Sequence, residues 1–176
     1  MRLIRNILIG LVALVAVLAV VGMLLPRQVV VERDIVIDAP PEDVFAHVNS
    51  LQAFAEWSPW GDYDPDMVVT YSGPETGVGN VMEWTSEHPN VGNGRQEITH
   101  VVENERVMTA LDFGDMGTAD AWWQLAPDGD GTRVVWGLDA DMGGGPVGRW
   151  FGLMMDRWVG ADYERGLARL QETVES

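Results

Sequence analysis

The sequence predicts an α+β helix-grip domain, a curved antiparallel sheet around a long C-terminal helix, preceded by one transmembrane helix. Three observations carry this. Residues 7–25 are nineteen positions without a charge, residues 67–142 alternate apolar and polar side chains, and apolar residues from Val147 onward recur at helical spacing. The chain divides accordingly into an anchor, residues 1–26, and a domain, residues 27–176.

The anchor comes first. Arg2 and Arg5 precede the run Ile7 to Leu25, and Pro26-Arg27 closes it. Nineteen residues at ~1.5 Å each span roughly 28 Å, close to the ~30 Å hydrocarbon thickness of a bilayer. A cleavable signal peptide is the competing reading, with Val17-Leu18-Ala19 as its small-residue cleavage site. Against it, the apolar run continues six residues past Ala19 and exceeds the usual apolar region of such peptides. The basic flank keeps the N-terminus cytoplasmic, so residues 27–176 are expected to lie in the periplasm or outside the cell.

Residues 29–38, VVVERDIVID, read as a strand. Asp38-Ala39-Pro40-Pro41-Glu42 reads as a helix start, with Asp38 as cap, prolines in the first turn and acids at the positive dipole end. Val44, Phe45 and Val48 form a short apolar stripe, and a second short helix covers 50–56. The alternation then gives one apolar face per strand: Met67, Val69, Tyr71; Met82, Trp84; Val107, Thr109, Leu111, Phe113; Ala119, Ala121, Trp123, Leu125; Val134, Trp136, Leu138. Turns fall at Ser72-Gly73-Pro74, Asn93-Gly94, Glu103-Asn104-Glu105 and Asp128-Gly129-Asp130-Gly131. Gly143-Gly144-Gly145-Pro146 ends the sheet. The final helix then carries Val147, Phe151, Met154, Trp158, Leu167, Leu170 and Val174 at helical spacing, with Gly160 as a point of division. The order is β-α-α-β-β-β-β-β-β-α.

Composition excludes several function classes. The chain has no cysteine, so disulfides, thiolate catalysis and cysteine-ligated zinc are absent. All 27 acids follow residue 31, against nine arginines in residues 27–176, a formal −18 for the domain. Such a field repels nucleic acid, anionic headgroups and phosphorylated ligands, so no nucleic-acid partner is expected.

Six stretches carry a family resemblance. They are VERDIVIDAPPEDVF (31–45), WSPW (57–60), YSGPETGVG (71–79), Trp84, TRVVW (132–136) and DYERGLARL (162–170). Together they resemble the START-like, or SRPBCC, superfamily, in particular its bacterial polyketide cyclase/dehydrase-like branch, some members of which carry an N-terminal membrane helix. The resemblance spans residues 29–175 and implies an apolar cavity between the concave sheet face and the long helix. Mapped by strand parity, Met82, Trp84, Phe113, Trp123 and Trp136 face that cavity. Phe151, Met154 and Trp158 close it from the helix, Trp57 and Trp60 cap its mouth, and Tyr71 lines it from the neighbouring strand. Each ring also suits a plain core. As a group, eight tryptophans and nine methionines suit an adaptable pocket for flat or chain-like apolar ligands.

Other chemistry finds little support in the residues. Asp62-x-Asp64-x-Asp66 mimics the start of a calcium loop, but Met67 and Gly73 stand where that loop needs Gly and Glu. The three glycines before the last helix have no Lys nearby and read as a connecting loop. No metal site and no cofactor are expected. Among the histidines, His47 and His88 read as surface residues. His100 shares strand parity with Gln96, Ile98 and Val102, which makes it the one catalytic candidate, a base for cyclisation or dehydration. A core histidine fits the same pattern. The expected function is a membrane-anchored domain, held through residues 7–25, that binds a small hydrophobic lipid-, quinone- or polyketide-like molecule. The alternatives are a cyclase/dehydratase-type enzyme using His100, and an envelope interaction module that uses exposed aromatics such as Trp122.

Overall fold

The structure, a computed structural model, describes residues 2–88 and 91–176. Helix α1, Arg2–Leu24, takes up the apolar run and exposes nearly all of its side chains. It is long and apolar enough to cross a membrane. Strand β1 (Gln28–Ile37) follows, then α2 (Pro41–Val48), α3 (Leu51–Trp57) and a 3-10 turn at Pro59–Asp62. Six strands succeed one another: β2 (Val68–Ser72), β3 (Val81–Thr85), β4 (Gly94–Val102), β5 (Arg106–Asp112), β6 (Thr118–Asp128) and β7 (Gly131–Asp141). A second 3-10 turn, Gly114–Met116, lies between β5 and β6. Helix α4, Pro146–Val174, ends the chain.

The sheet order is β1-β7-β6-β5-β4-β3-β2, antiparallel throughout, so every neighbour but the β1–β7 pair is consecutive in sequence. Its registers define two ends. At one, the starts of β1, β2, β4 and β6 meet the ends of β3, β5 and β7. Helix α1 finishes and α4 begins there, and Met142 N–H donates to Arg27 C=O at 2.8 Å. We call this the near end. The far end is filled by Ile37, Val44, Val48, Leu51, Leu125, Val134 and Leu170, each nearly sealed from solvent.

Local signals are mostly met, with three corrections. The cap position of α2 is Pro40, not Asp38, whose N–H instead donates to the Glu175 carboxylate at 2.9 Å. A proline there makes no side-chain cap bond, and Pro41 needs none, because it has no N–H to satisfy. Helix α3 is capped by Ser50 and fastened by buried Asn80, whose Oδ1 accepts from Leu51 N–H at 2.7 Å. Gly160 does not divide α4, which is one helix of 29 residues. The Arg33 guanidinium lies where a side chain at 160 would stand and bonds Asp156 and Glu164 at 2.9 and 2.7 Å, clamping α4 to β1. Finally, Asn93-Gly94 is not a hairpin turn: Gly94 already pairs with Trp84 in the ladder.

Candidate functional site

The near half of the grip is hollow. A cavity of about 380 Å³ lies between the concave sheet face and α4, within the range of small-molecule sites. Its room comes from small inward side chains. Ala119 and Ala121 on β6 and Ala140 on β7 line it, where bulkier residues would fill it. Met82 and Trp84 form the wall from β3, and Leu111 and Phe113 from the end of β5. Trp84 and Phe113 meet edge to face at 5.9 Å.

The floor of the cavity is the aromatic core. Trp136 stacks on Tyr163 of α4 at 3.8 Å and 9°, and Trp60 stands edge-on to both rings at 5.6 and 6.1 Å. Gly166 permits this. A Cβ there would sit 2.6 Å from the Trp136 ring and 3.2 Å from Pro59. Behind the floor, Trp57 and Trp123 pack around Phe54 at 4.9 and 5.3 Å.

Of the residues singled out in the sequence, Trp60, Met82, Trp84, Phe113 and Trp136 line the cavity. Trp57 and Trp123 do not; they are sealed in the core behind it, and the Trp57 indole N–H donates to His47 C=O at 3.2 Å. Tyr71 shares the concave face with Met82 but stands on the edge strand near Glu56, 39% exposed and off the cavity wall. Phe151, Met154 and Trp158 point out of the domain. The helix surface that lines the cavity is Met155, Val159 and Tyr163, about one residue round from the expected stripe. Helix α4 has two apolar stripes in its first half, and the outer is the more strongly apolar. Parity and hydrophobicity therefore selected the wrong one. The small inner residues of β6 and β7, and Gly152, Gly160 and Gly166 along α4, were the signals available for the missed wall.

His100 is exposed. A β-bulge between Ile98 and His100 shifts the register, so Ile98 and Val101 face inward while His100 pairs with Met108 outside. One extra residue reverses the parity on which the inward reading rested. Trp122 is not a free aromatic either, since its ring lies over Gly137 on the outer sheet face, where a Cβ would come within 2.1 Å. The acids of the WSPWGDYDPD stretch serve packing. Asp62 pairs with Arg169, Asp64 accepts from Ser86 Oγ, and Tyr63 O–H donates to Asp162 at 2.9 Å. Among the described residues, no group of His, Cys, Asp and Glu is placed to hold a metal.

The sequence profile described as polyketide cyclase / dehydrase and lipid transport matches residues 28–175. The chain belongs to that family. Solved structures support the fold of this family member. A Chromobacterium violaceum protein, CV1439, is 20% identical with TM-score 0.59, over 86% of this chain and 99% of its own. TTHA0849 of Thermus thermophilus is 24% identical with TM-score 0.58, over 82% and 96%. The di-domain ARO/CYC StfQ of the steffimycin biosynthetic pathway is 11% identical with TM-score 0.62, over 84% of this chain and 51% of that one. No curated protein matches the chain.

Polar groups in this family member's cavity are few. Gln96, the Tyr163 phenol and the Trp136 indole N–H belong to buried residues of its lining. Gln96 Nε2 donates to Thr109 Oγ1 at 3.0 Å. Burial pushes the Tyr163 hydroxyl well above its ordinary range, so it stays a neutral donor. Asp141 at the rim is the one carboxylate among the described lining residues. Hydrogen bonds from Arg27, at 2.6 and 2.7 Å, and from the Gly143 N–H hold it below the usual carboxylate range. It is an ion-paired group with no proton to exchange near neutrality.

Proposed function

We propose that the domain binds a small apolar molecule in the near cavity while α1 holds it at a membrane. The observation that carries this reading is a hollow of about 380 Å³ walled by Trp84, Phe113, Met82, three alanines and the Met155–Val159 surface of α4. Enclosing about 300 Å² of apolar ligand surface at ~25 cal/mol per Å² supplies roughly 7 kcal/mol before ordering costs. Tyr163 and Gln96 offer hydrogen bonds to a ligand carbonyl or hydroxyl, which suits a quinone- or polyketide-like molecule or an acyl chain with a polar end. The formal −18 favours a neutral or cationic ligand. Helix α1, with Arg2 and Arg5 before it, fits a span whose cytoplasmic end is the N-terminus and whose domain faces the periplasm or outer medium. A cyclase or dehydratase would need a positioned base in the lining; His100 stands outside it, and Asp141, the carboxylate at the rim, is engaged by Arg27 and the Gly143 N–H.

Native mass spectrometry of the full-length protein purified from its own membrane tests this. A stoichiometric apolar adduct is expected, released by Ala121→Phe, which fills the hollow. A clean apo mass, with no uptake from added lipid or quinone extracts, overturns the reading.

A further inference from the structure

We propose that the first turns of α4, residues 146–158, form a second membrane-contacting element that lies in the bilayer interface beside α1. This rests on the reading of α1 as a membrane span.

The inner face of α4 packs on the sheet through Met155, Val159, Tyr163, Leu167 and Leu170. Its outer face carries Val147, Trp150, Phe151, Met154 and Trp158, which fall within an arc of about 100° at ~100° per residue. All five are exposed, Phe151 at 55% and Trp158 at 47%, and the rings of these two lie 6.5 Å apart. The stripe then stops. One turn on, the same face carries Asp162, Arg165 and Arg169, polar residues that pair with one another and with Asp62 and Tyr63.

What covers the stripe is indicated by its neighbour. The Trp150 indole N–H donates to Leu18 C=O at 3.0 Å, and Arg149 donates to Met23 and Leu25 C=O at 2.6 and 3.1 Å. Gly22 lets the helices touch: a Cβ there would meet Pro146 at 2.7 Å and the Trp150 ring at 2.8 Å. The exposed stripe is thus continuous with the exposed apolar surface of α1. Leu18 lies six residues before the end of α1, about 9 Å along its axis, which matches the ~5–10 Å depth of interfacial helices. Tryptophans at that level are what such an interface favours.

Charge agrees. Residues 142–155 contain no acid, in a domain that has 27. Asp156, the first acid after them, is drawn to Arg33; of the two cations of this segment, Arg157 borders the stripe and Arg149 is turned to the last carbonyls of α1. The cavity rim shares this end: Met116, 70% exposed, Met142 and Met155 line it. Docked this way, the mouth opens onto the acyl chains, and an apolar ligand moves between bilayer and cavity without crossing water.

The absence of cysteine makes the test direct. Single variants Phe151→Cys, Trp158→Cys, Ala168→Cys and Val15→Cys of the full-length protein, each carrying an environment-sensitive fluorophore, are placed in phosphatidylcholine nanodiscs. Lipids bearing nitroxides at the headgroup, shallow chain and deep chain report depth. Labels at 151 and 158 are expected to emit blue-shifted light and to be quenched most by the shallow nitroxide, the label at 15 by the deep one, and the label at 168 by none. Quenching at 15 with none at 151 and 158 overturns this inference and leaves the span intact. No quenching at 15 overturns both. Self-quenching at 151 that depends on a second labelled copy, without lipid quenching, assigns the face to a dimer instead.

Discussion

The two ends of the grip are built from the same alternating strands and reach opposite outcomes. Inward positions on β6 run Ala119, Ala121, Trp123, Leu125 from near end to far, and on β7 they run Ala140, Leu138, Trp136, Val134. Where the side chains are large the half-barrel is solid. Where they are alanines it is empty, although both ends are equally apolar. Polarity decides which way a side chain points; volume decides whether the result is a core or a cavity.

The comparison breaks first at Trp136. Trp136→Ala removes the floor that stacks on Tyr163 and is expected to cost about 3–5 kcal/mol in chemical denaturation. Trp84→Ala, in a wall already facing empty space, is expected to cost less than half as much while changing ligand uptake. Equal losses would mean that the near half is packed as tightly as the far.

Enlargement should show the reverse asymmetry. Val134→Phe, in the sealed end, is expected to cost about 1–3 kcal/mol through overpacking. Ala121→Phe is expected to leave the unfolding free energy within about 1 kcal/mol and to abolish uptake of a solvatochromic apolar dye. A large destabilisation by Ala121→Phe would show that the hollow closes in solution.

Gly166 joins the two halves. In an ordinary helix Gly→Ala gains about 1 kcal/mol, but here the added methyl meets the rigid Trp136 ring. Gly166→Ala is therefore expected to destabilise by about 1–2 kcal/mol, measured by thermal unfolding. A stabilised variant would mean that the stack is loose.

The smallest effect concerns acid. Asp62, Asp141 and Asp156 are held below the ordinary carboxylate range by Arg169, Arg27 and Arg33. A lowered folded-state value contributes stability above the unfolded range, lost as pH falls through the lower value. Thermal midpoints should stay level from about pH 8 to 5 and decline below about pH 4. The three pairs are exposed, so the decline should be shallow and weakened by salt. A decline starting near pH 6 would point to a histidine instead.

Element order, the approximate positions of the strands, and the inner faces of β5, β6 and β7 were legible in the sequence, because period two is a local property of a strand with one wet side. Met82, Trp84, Phe113 and Trp136 of the cavity wall lie on such faces, and Trp60 was placed at the mouth by the family resemblance. The side taken by His100 was lost, because a single bulged residue leaves no sequence mark and inverts everything beyond it. The inner face of α4 was also lost, because the first half of this helix carries two apolar stripes, one of them exposed, and spacing alone cannot say which faces the sheet.

By itself, then, the sequence determined the apolar run of α1, the alternation that builds the sheet, the lack of thiol chemistry and the strongly negative field. Each depends on residue type and near neighbours along the chain. Only the tertiary structure decided that Trp57 and Trp123 are core while Trp84 is wall, that alanines open the near end, and that Phe151, Met154 and Trp158 face outward beside α1. These depend on volume and direction, which are settled when strands far apart in sequence close around one helix.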